Sequence, residues 1–412
     1  MNSDLQNGAL AGAVAACDAI GAAMLTRLTS RLGEDSGASG NVLACPVGLA
    51  LALATLRAGA ADNGTGIDAM LGVDTDAKTR DRVWSAVQRS LQRFDVADTQ
   101  QLQDFNPEAI PDTPLLHIAN NILAIGQTQP TQDYLGNAKR WYGAEVNRAE
   151  RPKAKAALDA WANLHTGGLI KESAINVTPL TRLVVQNALL FAARWAKHFN
   201  AAATAERQPF TRADGSTSRA DLMSRTGRLT FVTGPDWRAL RLRYVDGAGD
   251  SGSAGGSAAG SETLAMDVIL PRKVSSPIDL PPTTWGEATR RLTAAQTAGT
   301  TTNVHLRLPR LNLSSKPTDL TGVVKSLGVR LGFQDHIAPD LLVGKIVQQV
   351  KLVVAEAGTV AAALTEIKIR TGAPPRPEEP IDFTVDHPYV LRIVDLTSGI
   401  ALIEAAILDP AA

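Results

Sequence analysis

The stretch Glu356–Pro380, EAGTVAAALTEIKIRTGAPPRPEEP, carries two patterns that rarely share a segment. Its end crowds Gly372, Pro374, Pro375, Pro377 and Pro380 together, and proline can neither donate to a sheet ladder nor sit inside a helix. That end reads as an exposed loop. Its first half alternates: the odd positions are Thr359, Ala361, Ala363, Thr365, Ile367 and Ile369, and the even ones are Val360, Ala362, Leu364, Glu366, Lys368 and Arg370. All three charges fall on one face of an extended chain, as a half-buried strand requires. A loop that carries a strand's pattern is a segment with two possible places in the fold.

Outward from this stretch, the chain has 412 residues, 44% hydrophobic and 20% charged, a globular composition. No run reads as long enough to cross a bilayer, so a soluble chain is expected. Lys plus Arg and Asp plus Glu both number 41, giving a formal charge of zero, and nothing in the balance points to nucleic acid or an acidic membrane. Cys17 and Cys45 are too few for a disulfide framework and read as small buried hydrophobes. The amino-terminal MNSDLQNGALAGAVAACDAIGAAMLTRLTSRLG lacks a positive n-region and reads as a first helix rather than a secretory signal, with Leu25, Leu28 and Leu32 on one face and Gly33 as its stop.

The first third is helical, with a helix opening after Pro46 and another running from Val83 through Phe94. A strand is expected around Ile118–Ile125, then a helix with Leu158, Trp161 and Leu164 on one face. From Thr181 the period becomes strand-like, in LTRLVVQNALLFAARW, ALRLRYVDG, LAMDVILPRK and the alternating VHLRLPRLNLSS. A short helix, DLTGVVKSLGV, precedes the closing strands IVQQVKLVVAE, PYVLRIVDL and GIALIEAAIL. Helices first and strands after predict an α+β architecture. Residues 247–262 have the composition of a flexible linker, but the flanking ALRLRYV and TLAMDVIL are suited to pair as a hairpin. The segment is therefore expected to be an insertion within one domain spanning 1–412.

Chemical motifs fail one by one. Gly249-Asp250-Ser251-Gly252 has the surroundings of a protease nucleophile but lies in a Gly/Ser/Ala tract that cannot hold an oxyanion hole. The six histidines, His117, His165, His198, His305, His336 and His387, form no metal-binding spacing. Gly344-Lys345 lacks the glycine a phosphate loop needs, having Pro339 in its place. No catalytic residues, metal or cofactor are expected, and an enzyme is the weaker reading.

Five segments, in order along nearly the whole chain, resemble the serpin family. NVLACPVGLALALATLRAGA is similar to the family's helix opening with Asn-aliphatic-Ser-Pro. LDAWANLHTGGLI and LTRLVVQNALLFAARWAKHF resemble its Trp-containing helix across the main sheet and the strand after it. LAMDVILPRK and VHLRLPRLNLSS resemble two further strands, VAEAGTVAAALT the hinge of the reactive-centre loop, and DHPYVLRIVDLTSGIALIEAAILDP the closing strands. The resemblance implies a fold of three β-sheets with about nine helices and an exposed reactive-centre loop. It also implies a function: a serine protease cleaves the loop as bait, and the loop's amino-terminal arm inserts into the main sheet, trapping the acyl-linked enzyme. A non-inhibitory binding protein or a mere protease substrate is the alternative.

The resemblance also assigns residues. The hinge is Glu356, Gly358, Thr359, Ala361, Ala362 and Ala363, with Gly358 expected to supply free rotation. Fourteen residues on from Gly358 the reactive bond falls at Gly372-Ala373, a small-residue site, with the trypsin-like Arg370-Thr371 as the alternative. Sheet opening is assigned to Cys45, Gly48, Asn187, Trp195 and Gln348. Cys45 and Gly48 stand where serines are expected and Gln348 where a histidine is, so a looser gate is expected. On insertion Glu366, Lys368 and Arg370 are expected to stay in water. The expected partner is a serine protease, or alternatively a cysteine protease, with no nucleic acid and no membrane, and the chain is expected to be a monomer. Location stays open between the cytoplasm and, by family habit, the exterior.

Overall fold

The computed structural model describes residues 3–34, 40–61, 65–73, 76–96, 98–106, 109–245, 263–343, 346–359 and 379–411. The insertion 247–262 with Ser251, the Gly344-Lys345 pair, and Ala361, Ala362, Ala363, Arg370, Thr371, Gly372 and Ala373 lie outside the described residues.

The helical first part contains α1 (Ser3–Glu34), β1 (Val42–Ala44), α2 (Pro46–Leu56), α3 (Ile67–Met70), α4 (Ala77–Leu91) and α5 (Gln100–Gln103). Next come β2 (Leu115–Ile125), α6 (Gln132–Tyr142), β3 (Glu145–Ala149), α7 (Arg151–His165) and β4 (Leu183–Arg194). The middle holds β5 (Ala205–Thr211), β6 (Thr217–Thr233), β7 (Trp237–Arg243), β8 (Leu264–Pro271), α8 (Thr284–Thr297) and β9 (Thr302–Pro309). The last part holds β10 (Leu311–Ser314), β11 (Thr318–Asp319), α9 (Thr321–Ser326), β12 (Val347–Gln348), β13 (Lys351–Ala355), β14 (Gly358–Thr359), β15 (Ile381–Thr384), β16 (Tyr389–Asp395) and β17 (Ala401–Ile407).

Among the described residues, these nine α-helices surround three sheets, an α+β fold as expected. A nine-stranded sheet runs β1-β17-β16-β8-β7-β6-β9-β15, with β5 on β6, and a two-stranded sheet joins β11 to β12. The six-stranded main sheet has the order β10-β13-β14-β4-β2-β3. Every residue of β8, β16 and β17 is buried, which explains their nearly unbroken apolar runs. Helix α2 starts with Pro46 at its first turn and is buried almost all round, because it lies between β4 and β17 and so joins the two large sheets.

The antiparallel pairing of β7 with β8 from Trp237↔Pro271 to Arg243↔Ala265 agrees with the expected hairpin. Two expectations need correction. VHLRLPRLNLSS does not form one strand: Pro309 cannot donate, the Arg310 amide bonds the Asp221 carbonyl at 2.8 Å, and the chain crosses there from the nine-stranded sheet into the main sheet. And α1 at Gly8–Leu32 is, by length and composition, apolar enough to cross a bilayer. Its apolar face is instead spent on the core, where Ala13, Cys17, Ile20, Met24 and Leu25 are buried against β17, α2 and β1.

Charges inside this core come in matched pairs. Arg241 of β7 makes two bonds to Asp267 of β8, at 2.7 and 2.9 Å, and both side chains are fully buried. Removing one partner leaves the other charge in a low dielectric. Asp267→Ala is therefore expected to lower the stability of the uncleaved protein by about 3–5 kcal/mol, read as a fall in the urea unfolding midpoint.

Candidate functional site

The quoted stretch enters the structure as β14, two residues long, hydrogen-bonded on both sides. Thr359 pairs with Ala193 of β4 and with Val354 of β13; Gly358 pairs with Arg194 and Ala355. One strand spacing is about 4.8 Å, so β4 and β13 are held about 10 Å apart here, with room for one strand between them. Gly358 is required for a reason other than the expected one. Its φ lies outside the left-handed region, but a Cβ on it would sit 2.3 Å from the Ala193 carbonyl oxygen and 2.8 Å from the Arg194 Cα. Close approach to β4, not rotational freedom, excludes a side chain.

Side chains from remote segments pin this two-residue strand. Thr359 is buried, and its hydroxyl bonds the Tyr244 hydroxyl at 2.7 Å. Burial raises the Tyr244 pKa far above the phenol range, against a smaller lowering by Thr359, so the bond is between two neutral hydroxyls. Tyr244 stacks on Trp195 with centroids 4.6 Å apart, and the Trp195 indole donates to the Ala355 carbonyl at 2.9 Å. Ahead of the strand, Glu356 accepts hydrogen bonds from Arg310 and, at 2.7 Å, from Thr204. Burial works to raise this carboxyl's pKa, but the bonds from Arg310 and Thr204 outweigh it and hold the group below its ordinary range. Tyr244, Arg310 and Thr204 were not flagged by sequence reasoning. Only Arg310, the polar break between β9 and β10, left a local trace.

Past β14 the gap between β4 and β13 goes on, as a cavity of about 940 Å³. One wall is Leu183–Phe191, the other includes Gln348, Val350 and Leu352, and the floor is formed by Cys45, Gly48 and Ile403. The core-facing residues Leu183, Val185, Asn187 and Leu189 are only half-buried, while Val184, Gln186, Ala188 and Leu190 on the other face are buried beneath α7 and the segment after it. That roof bears on one expectation. Leu169, Ile170, Ser173, Ala174, Ile175, Asn176, Thr178 and Leu180 line the same cavity, so a strand entering here would carry its outward side chains against them unless the roof moves.

Cys45, Gly48, Asn187 and Gln348 meet halfway along the cavity, whereas Trp195 belongs with the hinge. Gln348 accepts from the Cys45 amide at 2.8 Å and donates to the Cys45 carbonyl at 3.0 Å. Asn187 donates to Asn120 Oδ1 at 3.0 Å and the Ala119 carbonyl at 3.3 Å. A Cβ on Gly48 would lie 2.8 Å from Asn187 Oδ1 and 2.9 Å from Cys45 Sγ. The sulfur and the amide already reach into the space a side chain at this position would take. The Cys45 thiol is pushed up to about 12 by burial and stays protonated. The two cysteines are free and buried, and among the described residues no histidine, cysteine or carboxylate group is arranged to hold a metal.

The family model Serpin (serine protease inhibitor) matches residues 22–410. An uncharacterized serpin-like protein of Thermococcus kodakarensis is 27% identical over 297 residues, 68% of this chain and 63% of the relative. Plasminogen activator inhibitor 1 of Neovison vison is 24% identical, covering 83% of this chain and 84% of its own. Among solved structures, human thyroxine-binding globulin in complex with its hormone superposes with a TM-score of 0.74 at 18% identity, over 96% of this chain and 98% of the other.

A depressed carboxyl stabilises above the ordinary carboxylate range and ceases to as the pH falls through it. Hydrogen exchange at Gly358 and Thr359 is thus expected to speed up, relative to intrinsic rates, below about pH 4.5. Glu356→Gln should exchange faster at neutral pH and show no acid rise. An equal rise in both proteins would remove Glu356 from the latch.

Proposed function

The chain belongs to the serpin family, and on that premise we propose that it acts once, as a suicide substrate of a serine protease, by drawing the arm after Thr359 into its own main sheet. The observation that carries this reading is the vacant strand position continuing from β14 between β4 and β13. Counting onward in the same register, Ala361 comes opposite Phe191 and Leu352, and Ala363 opposite Leu189 and Val350. Small side chains thus enter where the walls are closest to the hinge. Ile367 comes opposite Val185 and Ile346, and Ile369 opposite Leu183, the first residue of β4. Full burial of each isoleucine stabilises the inserted state by about 1.5–3 kcal/mol.

The same count brings Thr365 between Asn187 and Gln348. Between Thr359 and Ile369 it is the only polar residue on the arm's core-facing side, and it arrives at the level of the two amides that line the slot. Its hydroxyl can accept from one and donate to the other, so the polar level of the arm matches the polar level of the slot and fixes the register.

Both candidate bonds leave the ladder full as far as Ile369. They differ in the tether beyond it, one residue to Arg370 and three to Gly372. We place the reactive bond at Gly372-Ala373, with Arg370-Thr371 as the alternative. The protein spends itself in one event, so no turnover is assigned to it.

Incubation with subtilisin-like and trypsin-like proteases is expected to yield a covalent complex that survives SDS, with the new terminus mapped by mass spectrometry and a higher melting temperature after cleavage. Thr365→Arg puts an unpaired charge in the slot, at a cost of several kcal/mol, and should convert the inhibitor to a substrate cleaved at the same bond. Cleavage without complex and without gained stability in the unaltered protein would overturn the reading and leave a non-inhibitory binding protein or simple substrate.

A further inference from the structure

Four titratable side chains from four segments form one chain beside the roof of the slot. Asp95 follows α4, His117 is on β2, His165 ends α7 and Glu145 begins β3. Asp95 Oδ1 lies 2.5 Å from His117 Nδ1, His117 Nε2 lies 2.9 Å from His165 Nδ1, and His165 Nε2 lies 3.1 Å from Glu145 Oε1. Both imidazoles are buried and stacked, with centroids 5.2 Å apart, and Trp161 packs on His165 at 4.5 Å. The Trp161 indole donates to the second Glu145 oxygen at 3.2 Å.

Each imidazole donates from its outer nitrogen to a carboxylate, which takes two protons. The Glu145 carboxyl lies below its ordinary range, first because of the His165 bond. The inner nitrogens face each other, and one must donate while the other accepts. The pair therefore holds three protons, one imidazolium charge between two carboxylates. With two protons one bond of the chain is lost, since either two inner lone pairs face each other or an outer lone pair faces a carboxylate; with four, two N–H groups and two cations face each other. The groups packed around the pair, element by element, are Asp95 from the turn after α4, Glu145 with the Asn147 amide from β3, and the Trp161 indole from α7. Among the described residues no lysine or arginine pairs with either carboxylate.

His165 and Trp161 belong to α7, the helix that roofs the slot, and the other members belong to the body beneath it. We propose that His117 and His165 are positioning residues that clamp this roof only while they share three protons, so that α7 opens more readily at both lower and higher pH. The consequence for arm entry rests on the inhibitory reading above; the clamp itself does not.

The test is hydrogen exchange of the intact protein from about pH 5 to about pH 8.5, the span in which histidine changes charge. Peptides from α7 and residues 169–178 are compared with β16 as a control for global opening. Corrected for intrinsic rates, opening of α7 is expected to pass through a minimum, rising about tenfold on either side, the effect of one charge-assisted hydrogen bond. His117→Gln keeps a donor and an acceptor but does not titrate, and should retain protection with a flat profile. His165→Asn serves as a second variant should the first fail to fold. A monotonic α7 profile that tracks β16, or a minimum that persists in either variant, overturns the clamp. The minimum in exchange together with no covalent complex from any protease would sustain the clamp and reject the inhibitor.

Discussion

Two strand edges face each other across a gap one strand wide. Below Thr359 no described strand pairs with the inner edge of β4 or of β13, although β2 and β10 satisfy their outer edges. An open edge is a template for another strand, and here two of them share one vacancy. A backbone bonded on both sides, as β14 already is at two residues, gains a ladder bond for nearly every residue it advances. On the inhibitory reading proposed above, the direction of spontaneous change is inward along that gap.

The hinge itself is held by a set of local contacts. Gly358 and Thr359 are wedged against β4 and tied to Tyr244, while Glu356 is tied to Arg310 and Thr204. Further down, Gln348 staples both backbone groups of Cys45, and α7 with the chain after it closes the outer face. On the proposed reading each contact is small beside the burial a full inserted strand would gain. On that reading the native state is kept by a rate, not by an equilibrium.

The floor of the gap illustrates how a departure in sequence can be neutral in structure. A glycine and a cysteine replace two hydroxyls, and read singly each looks like a loss. Together they are complementary: the sulfur of Cys45 and the amide of Asn187 occupy the volume a Gly48 side chain would take. A pairwise fit of this kind has no local signature, since Asn187 is far along the chain and comes near only through α2 packing on β4.

Taken alone, the sequence determined what depends on period and local stereochemistry. The alternation after Thr359, the proline-rich end, the helix opening at Pro46 and the largely apolar β8, β16 and β17 were all legible, because neighbouring residues settle them. The tertiary structure alone decided that VHLRLPRLNLSS is shared between two sheets, that Gly358 is needed for closeness, that Arg310 and Tyr244 reach the hinge, and that His117 meets His165. These pairs lie tens to more than a hundred residues apart, and which of them touch is set by how sheets and helices pack, a property no window along the chain contains.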